Sequence, residues 1–256
     1  MLEFYNEFKK HMGMFDASIE YLEFCTRYIS SSDDKLDEKI SSTGIKLNQD
    51  EIKKIKKMPY QMYILSTYGV FEEFIANYRS CLVNKLNIQI KDYDNMSKLD
   101  IILKNLGEID DFKQDIDDIY KSIEYSCLEY YRYCRNRGAH QGTDFEKKIK
   151  SAFDEMQKNK KWKDLSEKYP INYIELNFND FTLMSKCILD LVNRLMKLVQ
   201  KKNLDLLKQI DLKSLNRFQN NPDRYKTAII QKIITELNLD RSDAEKLYSA
   251  FCLQKP

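Results

Sequence analysis

The chain has 256 residues, 43% of them hydrophobic and 32% charged, with a formal net charge of +2. That length can hold one large domain, or one domain with an appendage, around an ample core. The near-neutral charge excludes nucleic-acid binding by overall electrostatics, so any such affinity must come from local patches. No apolar run approaches a membrane span, and the charged N-terminus does not read as a signal peptide.

Only 6 Gly and 4 Pro leave little material for hairpins, and the expectation is an all-α chain. The 17 Tyr and 13 Phe are expected to fill wide gaps between helices. The six cysteines form no C-x-x-C pair, and most fall on apolar helix faces, as suits reduced thiols in a cytoplasmic protein. With two histidines and no close cysteine pair, no zinc site and no cofactor is expected; a metal held by carboxylates alone stays open but has no motif behind it.

Residues 2 to 30 read as one helix, with Phe4, Phe8, Met12, Phe15, Ile19, Leu22 and Tyr28 on one side and His11 off that stripe, in solvent. A Ser-, Asp- and Lys-rich connection over 31 to 49 leads to a short helix near 50 to 58. Its Lys53, Lys54, Lys56 and Lys57 are either a phosphate-binding patch or a solvated face. Pro59 suits the first turn of the next helix, since its missing N–H is not needed there. From Tyr60 to about Leu86 the stripe is Ile64, Tyr68, Phe71, Ile75, Tyr78 and Leu82. Helical geometry puts Glu73 opposite that stripe and Glu72 on its border, on the flank of Arg79.

Asn87 to Asp94 breaks the pattern, and a shorter helix from about Met96 to Leu106 ends at Gly107. A helix over roughly 110 to 137 then buries Ile116, Ile119, Ile123, Cys127, Tyr130 and Cys134. Thr143 or Asp144 caps a helix to about residue 158, followed by the basic run Lys158, Lys160, Lys161 and Lys163 around Trp162. That run is a candidate RNA-binding patch in which Trp162 either stacks on a base or packs by its edge. Ile174, Leu176 and Phe178 alternate with polar residues, which suggests a short extended segment. Asn179 or Asp180 caps a closing helix that turns Met184, Cys187, Ile188, Leu191, Leu195 and Leu198 inward. Beyond about 203 the pattern shortens to two small helices near 223 to 237 and 241 to 252. The expected organisation is an N-terminal helical segment (1–58), a helical bundle (59–202) and a small C-terminal helical appendage (203–256).

The stretch YYRYCRNRGAHQGTD, Tyr130 to Asp144, stands apart. Its His140 is one of only two histidines, so it is the group placed to exchange a proton near neutral pH. An R-x4-6-H spacing alone would arise by accident roughly once in five such chains, but an asparagine directly after the arginine lowers that to about one or two per cent. On the helical wheel Arg135 points about 110° and Asn136 about 150° from the centre of the buried face, with His140 about 110° away on the other side. All three are expected to face away from their own core, so the site must be completed by solvent, RNA or a second subunit. Alternatively, Arg135 and His140 merely complement the macrodipole at a helix C-terminus, with Gly138 or Gly142 as cap.

Arg135, Asn136 and His140 resemble the R-N-x-x-x-H form of the R-x4-6-H signature of the HEPN superfamily, in its RiboL-PSP-like ribonuclease and toxin branch. The family often reads H-G where this chain reads His140-Gln141-Gly142. The resemblance spans roughly residues 60 to 200 and implies an all-α, HEPN-like helical bundle. It implies a metal-independent endoribonuclease of a toxin or anti-phage defence system, in which 2′-OH attack leaves a 2′,3′-cyclic phosphate. His140 would give a proton to the leaving 5′-oxygen, Arg135 would bind the phosphate oxygens, and Asn136 would orient His140 or bond the phosphate. The segment YGVFEEFIANY is similar to the early HEPN helix that often carries an acidic residue, which marks Glu72 as a supporting carboxylate; a Glu72–Arg79 pair is the other reading. The implied partners are an RNA substrate, a second copy in a homodimer, and an antitoxin or defence-system component, with no membrane. The alternative is a catalytically silent HEPN module that binds nucleotide or RNA, or serves dimerisation.

Overall fold

A computed structural model describes residues 2–30, 44, 58–139, 144–172, 175–209, 212–218, 220–237 and 241–253. Its elements are α1 (Leu2–Ser30), α2 (Met58–Leu86), α3 (Lys98–Gly107), α4 (Asp110–Tyr120), α5 (Ile123–Ala139), α6 (Asp144–Gln157), α7 (Trp162–Lys168), α8 (Phe178–Gln209), a 3-10 helix (Lys213–Phe218), α9 (Pro222–Leu237) and α10 (Arg241–Leu253). The described residues are all-α, with no strand among them. Lys53, Lys54, Lys56, Lys57 and the connection over 31–43 and 45–49 lie outside the described residues, as does His140.

The chain divides into two compact units, one of residues 1–7, 73–117 and 192–256, the other of residues 8–72 and 118–191. In the first, Tyr78 is fully buried and its hydroxyl donates to the Leu195 carbonyl at 2.9 Å, tying α2 to α8. Asn87, at φ 53°, ends α2 in the left-handed conformation that asparagine tolerates, and the Ile88 N–H reaches back to the Leu82 carbonyl at 3.0 Å. The buried Asn105 side chain then clamps the following loop. Its Oδ1 accepts from the Lys91 N–H at 2.8 Å, and its Nδ2 donates to the Lys91 carbonyl at 2.9 Å. Ser97 caps α3 by accepting from the Asp100 N–H at 3.1 Å.

The second unit carries the candidate site. Ile64, Tyr68 and Phe71 of α2 are buried, as are Ile123, Cys127, Tyr130 and Cys134 of α5 and Met184, Cys187, Ile188 and Leu191 of α8, as the periodicity predicts. Glu73, in the first unit, and His11 are exposed, also as expected. On α1, Leu22 and Tyr28 are exposed rather than part of the buried stripe, while Glu23 is buried and ion-paired to Arg27 at 2.8 Å. Against α5 packs α6, with the Cys127 and Met156 sulfurs 3.3 Å apart and the Tyr130 and Phe153 rings at 5.5 Å.

Three local readings of the sequence need correction. The expected single helix over 110 to 137 is two helices, broken at Lys121 and Ser122. Ser122 ends the first by bonding its N–H to the Ile119 carbonyl at 3.0 Å, and caps α5 by accepting from the Tyr125 N–H at 3.2 Å. The Lys121 carbonyl freed by the break accepts from Asn159 Nδ2 at 3.0 Å. The hydrophobic period runs through the break unchanged, which is why the pattern alone hid it. The cap of α8 is also two to three residues earlier than expected. Asn177 Oδ1 accepts from the Asn179 N–H at 2.7 Å, while Asp180 Oδ2 accepts from the Asn177 N–H at 2.8 Å. This is a reciprocal box, with Asp180 as its answering carboxylate. Of the alternating stretch, Ile174 lies outside the described residues, Leu176 is in no strand, and Phe178 is already the first residue of α8.

Candidate functional site

Site residues converge on the last two turns of α5. Cys127, Tyr130, Tyr131 and Cys134 fill the unit's interior, so the helix must turn Arg132, Tyr133, Arg135 and Asn136 to its flanks and outer side, where all four are half-buried. Facing this flank is the stretch of α2 that carries Tyr68 and Glu72, one turn apart.

Arg135 does not simply point into solvent, as the wheel suggested. Its Nη2 lies 2.6 Å from Glu72 Oε2, with 27% and 31% of the two side chains exposed. Its Nη1 donates to Asn136 Oδ1 at 3.2 Å, and its guanidinium carbon stands 5.3 Å from the centroid of the Tyr68 ring. A position 110° from the centre of the buried face is a flank, and here α2 covers that flank. The expectation that only solvent, RNA or a second subunit completes the surroundings of Arg135 is therefore corrected: α2 supplies part of them. The Glu72–Arg79 pairing is overturned as well, since Glu72 binds Arg135 and Arg79 binds Asp92 at 2.8 Å.

A second charged pair stands one turn earlier on α5. Arg132 binds Glu129 through both ends of its fork, Nε to Oε1 at 2.8 Å and Nη2 to Oε2 at 2.5 Å, and lies 4.5 Å from the Tyr133 ring centroid. The Glu129 hydrogen bonds raise the Arg132 guanidinium further above its ordinary range. Tyr68 is the point the two pairs share: burial, above all, raises its hydroxyl, and Glu129, Arg132, Glu72 and Arg135 all act on it. Reading the motif alone missed Tyr68, Glu129, Arg132 and Tyr133. The i,i+3 spacing of Glu129 and Arg132 directly before the motif was the available signal.

His140 follows α5 directly in sequence and lies outside the described residues. The candidate basic run is on the surface of the same unit. Lys158 pairs with Glu155 at 2.5 Å, and Lys160, Lys161 and Lys163 are exposed. Trp162 packs its edge on Phe153, with ring centroids 5.7 Å apart at 79°, so it is a packing residue here. Among the described residues the groups on the Arg135 guanidinium are Glu72, Asn136 and the Tyr68 ring, not these lysines.

Two further titratable groups of this unit, Cys134 and Asp180, are buried. Burial pushes the Cys134 thiol up to about 12, which leaves no thiolate to act as a nucleophile. Asp180 is fully buried and burial pushes its carboxyl up to about 7, against the bonds from the Asn177 N–H and from the Tyr131 hydroxyl at 3.3 Å. No helix among the described residues is long and apolar enough to cross a membrane, and none of their His, Cys, Asp and Glu side chains form a group of three that could hold a metal ion.

What the arrangement offers chemically is a guanidinium fixed by a carboxylate and an amide, half open to solvent, at the C-terminal end of a helix. Compared with models of protein families, with curated proteins and with solved structures, the chain matches none.

Proposed function

We propose that this chain is a metal-independent endoribonuclease of the HEPN type, acting in a toxin or anti-phage defence system, and that its bundle is HEPN-like. The observation that carries this reading is the 2.6 Å bond between Arg135 and Glu72, with Asn136 on the same guanidinium. Residues 63 positions apart in sequence meet on the one arginine that begins the R-N-x-x-x-H spacing. A helix-end arginine that served only the macrodipole would need no carboxylate from another helix.

In the proposed reaction the 2′-oxygen of RNA bonds to the adjacent phosphorus as its proton leaves to water. The bond from phosphorus to the 5′-oxygen breaks, and His140 gives that oxygen its proton, leaving 2′,3′-cyclic phosphate and 5′-OH ends. Arg135 neutralises the charge that grows on the non-bridging oxygens. Glu72 holds the fork in place before the phosphate arrives, and Asn136 completes the hold through its Oδ1 while its amide nitrogen remains a donor.

A silent binding module is the second reading, and one observation favours it: Glu72 already neutralises Arg135 in the free protein. Incubating the purified protein with total RNA in EDTA, beside His140→Ala and Arg135→Ala, separates the two. The nuclease reading expects cyclic-phosphate ends from the wild type and neither variant active. RNA bound but uncut leaves the silent module, and cleavage that leaves 3′-OH ends overturns the mechanism.

A further inference from the structure

Arginine is scarce in this chain. There are nine against 33 lysines, yet three of the nine, Arg132, Arg135 and Arg137, fall within six residues of α5. Lysine suffices for a solvated charge, whereas arginine's planar fork is the group that matches a phosphate or carboxylate with two parallel bonds. The Arg132 fork is used in that way, against Glu129.

Its placement is specific too. Arg132 precedes Arg135 by three residues, so the two Cβ atoms are neighbours on the helix surface, about 5–6 Å apart. Each guanidinium holds one carboxylate, and each stands over a tyrosine ring, at 4.5 Å and 5.3 Å. Both pairs are half-buried, with 22% of the Arg132 side chain exposed against 27% for Arg135. What distinguishes them is the carboxylate's origin. Glu72 comes from α2 and fixes Arg135 from across the helix pair. Glu129 comes from α5 itself, one turn away on a side chain that can swing clear without moving a helix.

We infer that Arg132 is a second phosphate-binding residue, taking the phosphate next to the one at Arg135, so that the site binds a single RNA strand across at least two successive phosphates. This rests on the ribonuclease reading above. In the free protein Glu129 occupies the position of that second phosphate, and RNA binding exchanges carboxylate for phosphate on the same fork. Tyr133, beneath Arg132, then offers a ring at the position of the adjoining base.

The test uses the full-length protein and synthetic RNA blocked at every 2′-oxygen by methylation, so that nothing is cut. Affinity is measured across a salt series for a twelve-nucleotide strand, and at one salt concentration for a dinucleotide with one phosphate and a trinucleotide with two. Each phosphate neutralised on a single strand contributes about −0.7 to the slope of log affinity against log salt. Arg132→Gln should reduce the magnitude of the slope by about that amount. It should weaken the trinucleotide several-fold and leave the dinucleotide unchanged. Arg132→Lys should restore the slope. Glu129→Gln, which removes the competing carboxylate, should tighten both the trinucleotide and the longer strand. A merely structural ion pair predicts that Glu129→Gln and Arg132→Gln act alike, with the slope of the wild type in both. That result overturns the inference and leaves the ribonuclease reading standing. A wild-type protein that binds none of these RNAs overturns both.

Discussion

Arg135 and Glu72 are joined by a 2.6 Å bond between two helices, α5 and α2, and that bond sets what each residue can do. A guanidinium on a long side chain samples many positions, and transition-state stabilisation requires one. On the proposed reading, Glu72 supplies that restriction at the cost of some positive charge facing the substrate. Glu72→Ala should therefore lower kcat on the order of 10²-fold, as displacement of a catalytic group commonly does. RNA affinity should hold or improve, because a negative charge is gone. Arg135→Ala should lower both. With each side chain about a third exposed, a double-mutant cycle on stability should give a coupling of only about 0.2–1 kcal/mol. A coupling of several kcal/mol, or a Glu72→Ala protein that melts much earlier, would assign the pair to the fold rather than to the site.

Asp180 should make stability depend on pH. Burial raises its carboxyl to about 7 in the folded chain, above the usual 3.8. The folded state thus binds a proton more tightly than the unfolded chain does. This contribution is fully present below about pH 4 and is lost as pH rises through about 7. Over that interval the folded protein should lose up to about 4 kcal/mol relative to Asp180→Asn, at 1.36 kcal/mol per unit. Chemical denaturation of both proteins at pH 4, 5, 6, 7 and 8 measures the difference. Parallel curves would mean that Asp180 stays charged when folded.

The break between α4 and α5 makes a third prediction. Ser122 caps α5 through the Tyr125 N–H, and loss of such a cap costs about 1 kcal/mol. Ser122→Ala should lower Tm by about 2–4 °C for a chain of this size. Since the break is upstream of Arg132, RNA cleavage per folded molecule should not change. An unchanged Tm would show that this cap adds nothing to stability, and a loss of activity per folded molecule would show that it positions the site.

Much of this was legible in the sequence, for definite reasons. Burial of Tyr68, Phe71, Cys127, Tyr130 and Leu191 follows from a 3.6-residue period, which needs no knowledge of neighbours. Glu72 could be placed on the border of its stripe by the same geometry, but its partner could not. Arg79 and Arg135 were both available cations, and only tertiary packing sends one to Asp92 and the other to Glu72. Ser122 was hidden because the period carries through the break. The Asn177 cap was hidden because Asn177, Asn179 and Asp180 are all capable caps within four residues. Tyr68 read only as a core residue, because a wheel cannot show that two ion pairs flank it.

Assembly is the last prediction. Arg135 is half open even with Glu72 and Asn136 on its guanidinium, and no second described cation contacts the same carboxylate. Phosphoryl transfer is fastest where several preorganised donors surround one phosphate and bulk water is excluded. One such flank supplies too few donors and too little cover. A two-fold axis beside the C-terminal end of α5 would bring two copies of Arg135 and His140 to one cleft, since a two-fold contact puts the same patch on both subunits. We therefore expect light scattering to give about twice the chain mass of 30.6 kDa. Mixing is the sharper measurement. An Arg135→Ala protein and a His140→Ala protein, each inactive alone, should recover part of the activity when unfolded together and refolded, provided that one cleft draws its arginine from one subunit and its histidine from the other. A monomer that cleaves RNA at full rate defeats the dimer outright. A dimer in which the mixture stays dead means that each cleft takes Arg135 and His140 from a single chain, and the shared cleft is then wrong.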